Sequence, residues 1–95
     1  MRLRWTAPAL RDLESIGDYI SRDNPAAAER IALRILDQAD GLALHPQIGR
    51  TGRVPGTREL VVSQTPFIVP YRVADGDIEI LAVFHGARRW PEDFS

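Results

Sequence analysis

The sequence predicts a single α+β domain spanning residues 1–95, of order β-α-α-β-β-β. An antiparallel helical hairpin packs on one face of a small, mainly antiparallel sheet. Three observations predict it. Two consecutive segments repeat apolar residues at helical spacing, with only a short break between them. Near the C-terminus a polar turn, Ala74-Asp75-Gly76-Asp77, joins two apolar runs as a hairpin turn would. Neither helical stripe can be buried by the other alone, so the pair needs a sheet to lie on.

Leu3-Arg4-Trp5 reads as a short first strand. Thr6 can cap a helix whose first turn holds Pro8, where a missing N–H costs little. Leu10, Leu13, Ile16, Gly17 and Ile20 give that helix one apolar face, and it should end near Arg22. Asp23-Asn24-Pro25 is the next break. Either Asp23 or Asn24 can cap a second helix with Pro25 in its first position. Ala28, Ile31, Ala32, Ile35, Ala39 and Leu42 form its stripe, which runs to about Leu44 before Pro46 blocks continuation. So short a link folds the two helices back on each other.

Gln47 to Thr57, with three glycines and a proline, reads as an irregular loop. Arg58 to Ser63 is a strand, and Gln64-Thr65-Pro66 a turn. Phe67 to Val73 and Ile78 to Phe84 are the hairpin strands. Counting across the Asp75-Gly76 turn pairs Val73 with Ile78 and sets Arg72 opposite Glu79. Pro70 cannot donate to a ladder, so a bulge or a locally unpaired stretch is expected beside it. Both hairpin strands are apolar at both parities, whereas a sheet covered on one side shows a polar face. A second cover is therefore expected, either the tail Trp90 to Ser95 or a segment of a partner.

The chain has no cysteine, which excludes a disulfide scaffold, a thiol nucleophile and a thiolate metal site. No apolar run reaches the ~18–20 residues of a membrane span, and the N-terminus lacks a signal-peptide core, so a cytoplasmic protein without membrane contact is expected. The net charge of −1 gives no global attraction to nucleic acid, but its distribution is uneven. Residues 47–74 carry four arginines and one acid, about +3. All twelve basic residues are arginine, so a lysine base or Schiff base is excluded.

The candidate functional residues cluster late in the chain. His85-Gly86-Ala87-Arg88-Arg89-Trp90 follows directly on the last strand, and Arg72 lies on the strand beside it. The plain role of Arg72 is a cross-strand ion pair with Glu79; the sharper one is a phosphate or carboxylate clamp. Arginines next to an aromatic plate can hold a phosphate and stack a base, or can anchor a protein contact. Arg50, Arg53 and Arg58 could extend the basic surface. Two histidines without ligand spacing predict no metal. Gly49-Arg50-Thr51-Gly52 lacks the Gly-Lys-Ser/Thr element of a phosphate loop, and no cofactor is expected.

The ordered set of these features resembles the RelE/ParE superfamily of toxins. The resemblance runs through the Pro-initiated helices, His45-Pro46, Gly49-Arg50, Tyr71-Arg72-Val73 and the ending His85-Gly86-Ala87-Arg88-Arg89-Trp90-Pro91. It is nearest the ParE-type, plasmid-stabilisation branch. It implies the toxin of a type II toxin–antitoxin system, neutralised by a cognate antitoxin through which operator DNA is reached only indirectly. The ParE-like branch inhibits DNA gyrase and implies no catalytic residues. The RelE-like branch cuts messenger RNA on the ribosome, and here would need His85 as proton acceptor with Arg58, Arg72 and Arg88 as stabilisers. The first strand after the helices, Arg58-Glu59-Leu60-Val61-Val62, lacks the paired lysines of the RelE-like pattern, and no tyrosine follows Arg88. The gyrase reading is therefore preferred, with the nuclease as its alternative and a non-toxic antitoxin-binding module as a third. Target-binding residues are expected to be Arg53, Arg58, Arg72, His85, Arg88, Arg89 and Trp90. Antitoxin-binding residues are expected to be Leu13, Ile16, Ile20, Ile68, Leu81 and Val83.

Overall fold

The computed structural model describes residues 1–87. Strand β1 (Arg2–Trp5) leads into α1 (Ala7–Ser21) and α2 (Pro25–Asp40), which a short 3-10 turn, Gly41–Ala43, prolongs. Then come β2 (Arg50–Thr51), β3 (Arg58–Val61), β4 (Phe67–Ala74), β5 (Asp77–Ile80) and β6 (Phe84–His85). The sheet order is β1-β5-β4-β3-β2, with β6 beside the start of β4. Among the described residues only β1 runs parallel to its neighbour, β5, and every other pair is antiparallel. No helix among the described residues is long and apolar enough to cross a membrane.

The caps fall where the side chains dictate. Thr6 Oγ1 accepts from the Ala9 N–H at 3.4 Å and donates to the Ile80 carbonyl at 2.7 Å, tying the start of α1 to the end of β5. Asn24, not Asp23, caps α2, its Oδ1 accepting from the Ala27 N–H at 3.0 Å. The stripe of α1 has the expected phase but begins at Ala9, not Leu10. Ala9 is fully buried and Leu13, Ile16 and Ile20 pack on the core, whereas Leu10 is half exposed. The stripe of α2 buries Ala28, Ile35 and Ala39 as expected.

Asp75 and Gly76 take φ of 53° and 79°, the two positive values of a type I′ turn. The register that follows sets Val73 against Ile78 and Arg72 against Glu79. It then breaks. Tyr71 pairs with Ile80, but Ile68 pairs with Phe84. Val69 and Pro70 thus face three residues, Leu81, Ala82 and Val83, and the expected single strand Ile78 to Phe84 divides into β5 and β6. The cause is the bulge expected beside Pro70. The Pro70 carbonyl still accepts from Leu81 N–H at 2.9 Å, but proline offers no donor in return. The Val83 N–H instead donates to Asp12 Oδ2 on α1 at 3.0 Å.

The extra residue reverses which side chain faces which way. Plain alternation places Phe84 with Ile78 and Ile80, and His85 with Glu79. In the structure Phe84 sits opposite Ile68 on the face away from the helices, and His85 sits opposite Phe67 on the helix side. The core between helices and sheet holds Ile35, Leu42, Val69, Tyr71, Ile78 and Ile80, all with no exposed surface. On the other face Ile68, Pro70 and Phe84 are also buried. The tail expected to cover them, 90–95, lies outside the described residues. β2 is a two-residue strand within the stretch read as an irregular loop.

Candidate functional site

The face of the sheet away from the helices gathers two arginine pairs, each closed on a buried glutamate. Pairing of β1 with β5 and of β5 with β4 sets Arg4, Glu79 and Arg72 in one row across three strands. Arg72 Nε donates to Glu79 Oε1 at 2.6 Å, and Arg4 Nη2 pairs with Glu79 Oε2. Pairing of β2 with β3 sets Arg50 beside Glu59. Arg50 donates to Glu59 Oε1 from both Nε, at 3.1 Å, and Nη2, at 2.8 Å. The Arg53 N–H donates to Glu59 Oε2 at 3.2 Å, with its Nε 3.6 Å from the same oxygen. Its guanidinium lies 5.8 Å from the centre of the Phe84 ring, within cation–π range.

The carboxylate of Glu59 is 1% exposed and that of Glu79 10%, while the four arginine side chains are 46–59% exposed. A carboxylate so buried requires charged partners. The arginines answer that need while their own side chains stay about half exposed. Each cluster of two arginines and one glutamate keeps a charge of +1.

The target-binding residues expected from sequence separate into three groups. Arg53 and Arg72 lie on this face. Arg58 pairs with Tyr71 on the helix side, and its Nη1 donates to the carbonyls of Gly49 at 2.8 Å and Gln47 at 3.3 Å. His85 stands edge-on to Phe67, ring centres 5.8 Å apart, and its Nδ1 accepts from the Ala87 N–H at 3.1 Å. Arg88, Arg89 and Trp90 lie outside the described residues. His85 is therefore not beside Arg72, as simple alternation implied. Of the expected antitoxin contacts, Leu13, Ile16 and Ile20 are part-buried against the core, and Ile68, Leu81 and Val83 are buried. The exposed apolar side chains are others, among them Leu10, Tyr19 and Leu33 on the helices, Leu44 and Ile48 beyond α2, and Val61 and Val73 on the sheet.

Sequence reading missed Glu59, Glu79 and Arg4 as site residues, and offered Arg50 only as an extension of the basic surface. Glu79 was legible only as the partner of Arg72. Arg4 carries no local signal, because its place depends on a parallel pairing of the two ends of the chain.

A buried tyrosine holds the loop that delivers Arg50. Tyr71 Oη accepts from the Gly49 N–H at 2.9 Å and donates to the Pro46 carbonyl at 2.8 Å. Burial raises its ionisation above the usual tyrosine value, opposed by the Gly49 bond and the nearby Arg58 charge. The hydroxyl is thus a neutral clamp. Gly49 has no room for a side chain: a Cβ there would stand 2.6 Å from Tyr71 Oη and 2.9 Å from the Glu59 carbonyl.

The model of the ParE toxin of type II toxin–antitoxin systems, parDE, matches residues 3–90. The chain belongs to this ParE toxin family. It is 50% identical to the protein Y4kP of Sinorhizobium fredii over 96% of this chain and 94% of that one. It is 46% identical to the toxin RelE2 of Caulobacter vibrioides over 88% of this chain and 93% of that one. Among solved structures, the chromosomal ParDE system of P. aeruginosa superposes with a TM-score of 0.81 at 34% identity, covering 90% of this chain and 95% of that one. The RelBE2 toxin–antitoxin complex of Mycobacterium tuberculosis superposes at 0.64 with 27% identity, covering 88% and 95%. This ParE-family protein is the toxin of a type II toxin–antitoxin system, and an antitoxin is its partner.

Proposed function

We propose that this toxin arrests growth by inhibiting DNA gyrase, as the ParE-like branch implies, and is released from its antitoxin to do so. The observation that carries the reading is the place of His85. It lies opposite Phe67 on the helix side of the sheet, edge-on to that ring, with its Nδ1 accepting from the Ala87 N–H. Cleavage of RNA by a ribose 2′-oxygen needs an acceptor and charge stabilisation together. Arg72 lies on the opposite face from His85, and Arg58 is occupied with loop carbonyls. Tyr71 is fully buried, and burial raises its ionisation above the usual tyrosine value. A binding surface, not a catalytic centre, fits this arrangement best.

A gyrase supercoiling assay with antitoxin-free protein tests the proposal. Lost supercoiling with trapped double-strand breaks is expected, and truncation after Gly86 should abolish it by removing the contact surface that includes Arg88, Arg89 and Trp90. Growth arrest with gyrase untouched would sink the proposal. It would favour the ribosome-dependent nuclease, the reading that the likeness to RelE2 supports. His85→Ala would then abolish cleavage.

A further inference from the structure

We propose that the outer edge of β3, at Val61 and Ser63, is where an extended segment of the antitoxin pairs with the sheet as an added strand, displacing the side chain of Gln38. This goes beyond the gyrase reading and does not rest on it, since an antitoxin is the partner whatever the target.

The edge is set by the ladder. The Val62 N–H donates to the Phe67 carbonyl at 3.0 Å, so the backbone groups of Val62 face β4. Alternation turns those of Val61 and Ser63 the other way. On that side β2 pairs only with Arg58 and Glu59. The chain leaves the edge at Gly49, whose N–H turns to Tyr71 Oη. Among the described residues no strand therefore continues the sheet past Glu59, and Val61 presents its N–H and carbonyl outward. Ser63 shows what such an edge takes. Its N–H donates to Gln38 Oε1 at 2.8 Å, and its carbonyl accepts from Gln38 Nε2 at 3.4 Å. The Gln38 carboxamide thus makes the two bonds that an opposing residue of a neighbouring strand would make. Both are solvent-exposed, so exchanging them for those of a strand costs little.

The edge selects its occupant. Backbone groups in a row call for another polypeptide backbone, which a nucleic acid or a small ligand does not supply. Beside the edge lies a groove of about 370 Å³ lined by Gln38, His45, Ile48, Arg50, Leu60 and Val61. Ile48 on its wall is 66% exposed, an apolar neighbour for one side chain of an added strand. A second copy of this chain fits poorly. Two β3 edges would meet about Val61, but Glu59 of each is already paired with Arg50, so a single residue pair would form. A slender extended segment meets edge and groove together, provided that it brings one apolar side chain to Ile48 and no proline opposite Val61. The protein partner that the family and its solved complexes give this chain is an antitoxin, and the proposal assigns the segment to it.

The test uses the full chain and its cognate antitoxin, purified apart and mixed. Amide hydrogen exchange needs no variant: the Val61 N–H should exchange about a hundredfold more slowly in the complex than in the free toxin. Val61→Pro removes the outward donor and spares the ladder with β4, since proline is tolerated where the N–H faces away from the sheet. It should weaken antitoxin binding about tenfold or more. Val61→Thr changes the side chain and keeps the donor, and should leave binding within about twofold. Gln38→Ala should tighten it about two- to fivefold, because no bond to Ser63 must then be given up. The proposal is overturned if the Val61 N–H exchanges as fast in the complex as in the free toxin. It is overturned equally if folded Val61→Pro binds the antitoxin as tightly as the unaltered chain, or if Val61→Thr weakens binding as much as Val61→Pro. A free toxin that sediments as a dimer, turned monomeric by Val61→Pro with antitoxin binding unchanged, also overturns it and assigns the edge to a second copy.

Discussion

Replacing Tyr71 by phenylalanine should be the most damaging single-oxygen change in the molecule. The ring is fully buried, and its hydroxyl is the acceptor for the buried Gly49 N–H and the donor to the Pro46 carbonyl. Phenylalanine keeps the ring and deletes both bonds. The Gly49 N–H is then stranded beside an apolar edge, at about 1–3 kcal/mol. The Pro46 carbonyl is half-exposed and can turn to water, so its loss adds less, about 0.5–1 kcal/mol. A total of about 1.5–4 kcal/mol is a large part of the ~5–10 kcal/mol expected for so small a domain. Thermal unfolding followed by circular dichroism should show a Tm about 10–20 °C lower. Urea unfolding should show a lower midpoint with an unchanged slope. The same hydroxyl predicts an alkaline effect. Burial raises its ionisation in the folded state above the ordinary value near 10, so it loses its proton more readily once unfolded. Its contribution is intact below about pH 10 and is lost as pH rises toward the folded value. Tyr71→Phe should therefore flatten the fall in stability above pH 10. A stability loss below about 0.5 kcal/mol would refute the argument, because the loop would then be shown to relax and find other acceptors.

Gly49→Ala should cost about 1–3 kcal/mol or more in urea unfolding, since the added carbon stands 2.6 Å from Tyr71 Oη and close to backbone that cannot yield. Asp12→Ala should cost about 1–3 kcal/mol by leaving the Val83 N–H without its acceptor. Amide hydrogen exchange read by NMR should then speed up at Val83 and its neighbours before the rest of the sheet.

Features that depend on neighbours in the chain were legible. The cap at Thr6, the Asp75-Gly76 turn and the opposition of Arg72 to Glu79 are local, and short-range rules settle them; they narrow the cap of α2 to Asp23 or Asn24. Pro70 announced a bulge, because a missing donor shows in sequence. Where the bulge would be absorbed was hidden, since that depends on Asp12, 71 residues away from Val83. β2 was hidden because two residues carry no alternation. The glutamate-centred clusters were hidden for a further reason. Arg4 reaches Glu79 through a parallel pairing of opposite chain ends, and Glu59 reads as an ordinary charge on an alternating strand. Leu10 was misassigned because the true stripe of α1 begins with the small Ala9, which a search for large apolar residues passes over.

The bulge matters beyond its two strands. Had β5 continued in register, Val83 would face Ile68, and Phe84 would face Phe67 in the core. One extra residue turns Phe84 to the face away from the helices, where it lies under Arg53, and turns His85 away from that face toward Phe67. The same insertion thus supplies the aromatic floor of one arginine cluster and withdraws the histidine from the arginines. In its new place His85 receives the Ala87 N–H on Nδ1. A proline that cannot donate, two residues from Arg72 on β4, therefore leaves this face with its arginine–glutamate pairs and a buried ring, and sets the histidine on the other side.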